Sequence, residues 1–142
     1  MTTIRFHLMS ELKPDEVMAV LTDFGPARAE AWPTIDADHF KVHEQGDTWA
    51  VVTEGTESAW ERARYEWDPD AHEVVIGTEE SKLFGAGGGW RFSMTPEGDL
   101  TRVDIELTRN PTALRGRLLA LLLPLAGPPS LRKSFKGPLR GV

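Results

Sequence analysis

Apolar and polar residues alternate at the start of the chain. Ile4, Phe6 and Leu8 fall on one parity and Arg5, His7 and Met9 on the other, the period of a half-buried strand. The period then changes. Lys13-Pro14-Asp15-Glu16 opens a helix, because proline suits a first turn and acidic residues suit its positive end. Val17, Val20, Leu21 and Phe24 repeat on one face of that helix. Gly25-Pro26 closes it and starts a second short helix, which Trp32-Pro33 ends. Alternation returns in six further segments: around Phe40 and Val42, Thr48 to Thr53, Ser58 to Trp67, Glu73 to Thr78, Trp90 to Thr95, and Arg102 to Leu107. Gln45-Gly46-Asp47, Asp68-Pro69-Asp70 and Glu97-Gly98-Asp99 supply turns between strands. From about Thr112 the pattern is helical again, with Asn110 as cap, Pro111 just inside, and Leu114, Leu118, Leu121, Leu122 and Leu125 on a wide apolar face. Pro124 and Gly127-Pro128-Pro129 kink or break this helix, and a shorter helical piece follows from about Ser130 to Lys136.

Tight hairpins make antiparallel neighbours, and a sheet with one apolar face needs a cover. The C-terminal helix is the only predicted element long and apolar enough to provide it. The fold class is therefore α+β: a curved antiparallel sheet of about seven strands wrapped around a long C-terminal helix, with two short helices after the first strand. Such a sheet leaves an apolar space beneath the helix. At 142 residues the chain suits one domain, 1–142.

Composition removes several chemistries. The chain has no cysteine, which excludes disulfides, thiolate catalysis and cysteine-ligated metal sites. The N-terminus lacks the apolar run of a signal peptide. The longest apolar stretch, Leu118 to Ala126, is nine residues and contains Pro124, against about 20 for a membrane span. The expected address is cytoplasmic. The net charge of −6 is uneven. Ten basic and 22 acidic residues fall before Pro111, a net −12, while Arg115, Arg117, Arg132, Lys133, Lys136 and Arg140 follow it with no acidic residue. Phe135 is the one aromatic residue in that basic stretch, so nucleic acid is not the expected partner. Arg132, Lys133 and Lys136 beside an apolar helix suit peripheral contact with anionic lipid headgroups, or simple solvation.

Parity also sorts the candidate chemistry. Ile4, Phe6, Leu8, Phe40, Val42, Trp90, Phe92, Met94, Val103, Ile105 and Leu107 face the concave side, while Arg5, His7, His39, Lys41, His43, Arg91, Arg102, Asp104 and Glu106 face out. His39 and His43 on one extended strand stand about 13 Å apart, too far for one metal ion. No metal and no cofactor is expected, and no Gly-x-Ser-x-Gly elbow is present. Within Ser58 to Trp67 the more apolar parity is Ala59, Glu61, Ala63, Tyr65 and Trp67. Glu61 then stands on an apolar face, which suits a general acid, an anchor for a polar ligand group, or a hydrated rim position. A bulge that shifted the register would bring in Arg62 and Arg64 instead, for an anionic ligand. Tyr65 is the only tyrosine. Its hydroxyl suits a carbonyl oxygen in a cavity, or a backbone partner in a core. Trp49 joins the ligand-facing set as a large aromatic, and Leu118 and Leu122 join it from the helix. The run Gly85-Ala86-Gly87-Gly88-Gly89 lacks the Lys-Ser/Thr of a phosphate loop. It suits a bend, a close backbone approach, or a loop over a pocket mouth.

The chain resembles the START-like helix-grip (SRPBCC) superfamily, particularly its bacterial polyketide cyclase/dehydrase and lipid-transport group. The residues that carry the likeness are Pro14-Asp15-Glu16-Val17 through Leu21-Thr22-Asp23-Phe24, then Trp32-Pro33, the Gly85-to-Trp90 run entering a strand, Glu97-Gly98 before Thr101-Arg102-Val103, and the leucine-rich C-terminal helix. Pro124 and Pro128-Pro129 depart from the unbroken helix of that family. With the curved-sheet pattern and the inward aromatics, the resemblance implies a small hydrophobic ligand, a lipid, isoprenoid or polyketide-like molecule, bound between sheet and helix, and the inward positions give Phe40, Val42, Trp49, Glu61, Tyr65, Trp90, Phe92, Met94, Ile105, Leu118 and Leu122 as its expected lining. One alternative is a polyketide aromatase/cyclase or dehydratase with Glu61 and Tyr65 as acid–base groups. Another is an interaction module that meets an anionic membrane or a partner through the basic C-terminal segment.

Overall fold

The computed structural model describes residues 2–111 and 128–142. Strand β1 (Thr2–Ser10) is followed by helix α1 (Pro14–Leu21), the single turn α2 (Arg28–Ala31) and a 3-10 turn (Ala37–His39). Six strands then run in a meander: β2 (Lys41–Gln45), β3 (Trp49–Gly55), β4 (Trp60–Asp68), β5 (Glu73–Ser81), β6 (Gly85–Glu97) and β7 (Leu100–Asn110). Together they form one antiparallel seven-stranded sheet of order β1-β7-β6-β5-β4-β3-β2. Residues 128–136, here α3, are helical and include Pro128 and Pro129. The predicted helix from Thr112 and its break at Pro124 lie outside the described residues.

The local signals act as the residue types require. Glu16 reaches back to accept the Lys13 backbone N–H at 2.9 Å, which satisfies a donor at the start of α1. Trp32, held extended before Pro33, stops α2. The buried faces follow the predicted parity closely: Ile4, Phe6 and Leu8 on β1, Phe92 and Met94 on β6, and Val103, Ile105 and Leu107 on β7 form one core with Val17, Met18 and Leu21 of α1. His39 is a correction, since it closes the 3-10 turn and does not lie in a strand. Asp36 turns the chain out of extended form there, its carboxylate accepting the Asp38 N–H at 3.1 Å and its carbonyl the His39 N–H at 2.9 Å.

Helix α3 lies over the concave face. The Phe135 ring packs on Phe6, Trp32, Trp90 and Phe92, with ring centres 5.4–6.3 Å apart. Beyond it, Leu139 is fully buried and its carbonyl accepts the Ser10 hydroxyl. Val142 N–H then donates to Met9 at 2.9 Å, so the final residues line the open edge of β1. Arg132 covers the same edge further along by donating to the His7 carbonyl at 3.1 Å. Hydrogen bonds that cover an open strand edge also block pairing with another chain.

Candidate functional site

Between the sheet and α3 lies a cavity of about 310 Å³. Its apolar wall comes from Trp32, Ile35, Ile76, Trp90, Phe92, Leu131 and Phe135. Its polar wall comes from four strand and helix positions: Arg28, Glu54, Glu61 and Arg109, with Tyr65 beside them. Glu54 extends the inward parity of Ala50 and Val52 on β3. Arg109 extends that of Val103, Ile105 and Leu107 on β7.

Glu54 and Glu61 are direct cross-strand partners. Like charges so placed repel, and each carboxylate has its own arginine. Arg28 Nε donates to Glu54 at 2.8 Å, with the Arg28 side chain buried and that of Glu54 12% exposed. Arg28 Nη1 reaches the Leu21 and Asp23 carbonyls at 3.2 and 3.0 Å, and Nη2 donates to the Tyr65 hydroxyl at 2.9 Å. The hydroxyl in turn donates to Glu54. Burial works against the Arg28 charge, but Tyr65 and Glu54 outweigh it and hold its pKa above the usual arginine value. Burial, then the Glu54 charge, pushes the Tyr65 pKa well above that of a free phenol, with Arg28 opposing in part. Tyr65 is therefore a neutral phenol at any physiological pH.

The second pair spans more of the sheet. Arg109 Nη1 donates to Glu61 on β4 at 2.7 Å and to the Thr78 hydroxyl on β5 at 3.1 Å. Its guanidinium sits over the Phe84 and Trp90 rings at 5.4 and 5.6 Å. To get there from β7, the side chain crosses β6 where Ala86, Gly87 and Gly88 bulge opposite it. Glycine is required in this stretch. A Cβ on Gly88 would strike the Thr108 carbonyl, and one on Gly89 the Ile76 carbonyl. The run is therefore part of a strand, built for close backbone approach, and not a loop over the pocket mouth.

No protein-family model matches the chain, and no curated protein does. Solved structures do. A protein from Thermus thermophilus superposes with a TM-score of 0.78 at 17% identity, covering 97% of this chain and 94% of that one. A START superfamily protein from Mycobacterium smegmatis gives 0.76 at 15% identity, covering 99% and 98%. The fold is the START-like helix grip. The Zhui aromatase/cyclase from a Streptomyces species shares this helix-grip fold, with a TM-score of 0.62 at 14% identity over 96% of this chain and 85% of that one.

Within the helix grip the predicted site residues separate. Glu61, Tyr65, Trp90 and Phe92 line the cavity. The register is the one that turns Glu61 inward. The pairing does slip beside Arg62, but the extra residue is Glu79 on β5, so the parity of β4 is undisturbed and Arg62 and Arg64 stay outside. Met94 and Ile105 are buried in the core and do not line the cavity. Val42 packs at the core margin. Phe40 borders a separate shallow groove of about 410 Å³ with His39, Lys41 and His43. Trp49 is on the convex face, because Ala50 and Val52 take the inward parity of β3; the Arg64 guanidinium lies 4.6 Å over its ring. Leu118 and Leu122 lie outside the described residues. Among the described residues no three His, Asp or Glu side chains group closely enough to hold a metal ion, and no helix is long and apolar enough to cross a membrane.

Proposed function

We propose that this chain binds a small, largely apolar molecule between its sheet and α3, with a polar group of the ligand turned toward Arg109 and Glu61. The observation that carries this reading is the cavity: aromatic and aliphatic on most of its wall, with a few fixed polar groups at one side, as ligand pockets are built. Its size, near the lower end of the roughly 300–1,000 Å³ usual for such pockets, favours one or two rings or a short chain.

The catalytic alternative, with Glu61 and Tyr65 acting on a polyketide-like carbonyl compound, draws on the shared fold with an aromatase/cyclase. Geometry favours binding over it. The Tyr65 hydroxyl already donates to Glu54 and accepts from Arg28, and Glu61 is ion-paired with Arg109, so both candidate groups are already engaged by other side chains of the wall. Titration of the protein with naphthalene-type and short alkyl probes, followed by tryptophan fluorescence and native mass spectrometry, tests the proposal. Saturable one-to-one binding is the expected result, and failure of every probe to bind would overturn it.

A further inference from the structure

The two arginines of the cavity are not equivalent. Arg28 uses all three of its nitrogens on Glu54, Tyr65 and two backbone carbonyls. Arg109 uses only Nη1, and among the described residues its Nε and Nη2 make no hydrogen bond, nor does Oε1 of Glu61. Both side chains keep some exposure, 11% for Arg109 and 14% for Glu61. The one fully buried side-chain polar atom without a partner among the described residues is Nδ1 of His39, elsewhere in the fold. Arg109 and Glu61 both line the cavity and are bonded to each other at 2.7 Å, so an unused donor and an unused acceptor belong to adjacent side chains of its wall. The two aromatic rings and Thr78 hold the guanidinium in place before anything binds, which lowers the ordering cost of recognition.

Charge narrows the class. Arg28 and Arg109 balance Glu54 and Glu61, so an added carboxylate would be an uncompensated charge in a confined space. We infer that Arg109 and Glu61 read an uncharged head group carrying an acceptor next to a donor, as in a primary carboxamide or a hydroxy-carbonyl, and discriminate against the corresponding carboxylate. This rests on the cavity being a ligand site, as proposed above.

Calorimetric titration of the full chain at pH 7 with naphthamide, naphthoate and methylnaphthalene tests it. Naphthamide should bind roughly tenfold or more tightly than naphthoate, because an unpaired charge is left behind in the second case. In Glu61→Gln, which removes one negative charge but keeps an acceptor for Arg109, naphthoate should gain at least about tenfold, while methylnaphthalene reports that the cavity is intact. Naphthoate binding as well as naphthamide to the unaltered protein would overturn the head-group assignment and leave the cavity reading standing. Binding of none of the three would overturn the cavity reading, and this assignment with it.

Discussion

Glu54 and Glu61 face each other across β3 and β4, and the structure keeps both inside by giving each a separate arginine from a different side of the cavity. Arg28 comes from a single helical turn before the sheet, and Arg109 from the last strand. The polar wall is thus a closed charge balance assembled from segments far apart in the chain.

Arg28 is the most exacting member. Removing it leaves the Glu54 carboxylate buried and unpaired, beside a tyrosine whose hydroxyl has lost its donor. Arg28→Met should therefore cost about 3–5 kcal/mol in denaturant unfolding. The double variant Arg28→Met/Glu54→Leu should recover much of that loss, because no isolated charge remains. Equal stability of Arg28→Met and the unaltered protein would contradict the role described for the cluster.

Tyr65 gives an optical test, since it is the only tyrosine. Its folded pKa is raised above the ordinary 10.0 by burial and by Glu54, so the unfolded chain releases this proton at lower pH than the folded one. The contribution to stability is complete below about pH 10 and is lost as pH rises from there toward the folded pKa. Near-ultraviolet tyrosinate absorbance should stay silent through pH 10 and appear only with alkaline unfolding. Tyr65→Phe should cost about 1 kcal/mol at neutral pH and lose less stability than the unaltered protein on the alkaline side.

Gly77 and Gly89 are paired neighbours on β5 and β6 with opposite predictions. A Cβ at Gly89 meets the Ile76 carbonyl, whereas a Cβ at Gly77 meets nothing within 4 Å. Gly89→Ala should destabilise by about 1–3 kcal/mol. Gly77→Ala should stabilise by about 0.4–1 kcal/mol, through the lower entropy of its unfolded chain. Thermal unfolding of the two single variants separates them by sign.

Helix α3 offers a way to close the cavity without breaking the core. Leu131 borders the cavity and is only half-buried, so Leu131→Trp should fill the space and weaken probe binding at least about tenfold with little change in stability. Phe135, buried among four rings, behaves differently. Phe135→Ala should cost about 3–5 kcal/mol, seen as a lowered unfolding midpoint.

Much of this architecture is legible in the residue pattern, because strand parity is a local property. The alternation of Ile4-Phe6-Leu8 or Val103-Ile105-Leu107 needs no knowledge of the partner strand to say which side is buried, and Glu61 and Tyr65 are found inward by the same rule. Glu54 and Arg109 obey it too. Each lies one step beyond an apolar run, where a charged residue reads as the strand leaving the core, and so their inward direction is masked by their own polarity. Arg28 carries no such signal. Its burial depends on a carboxylate and a phenol from strands 26 and 37 residues away, which no local pattern reports. Trp49 fails in the opposite sense, since its size suggests a pocket while its parity and Arg64 hold it outside.

The reach of Arg109 over the bare backbone of β6 has a further consequence for how such a pocket changes over time. In the binding reading proposed above, ligand preference depends on a side chain whose own strand position is distant from the atoms it touches, and on glycines that need never meet a ligand. Lengthening, shortening or redirecting that one side chain would retune the polar end of the pocket while every residue of its apolar wall stayed in place. A helix grip wired in this way can diversify what it recognises without disturbing what keeps it folded.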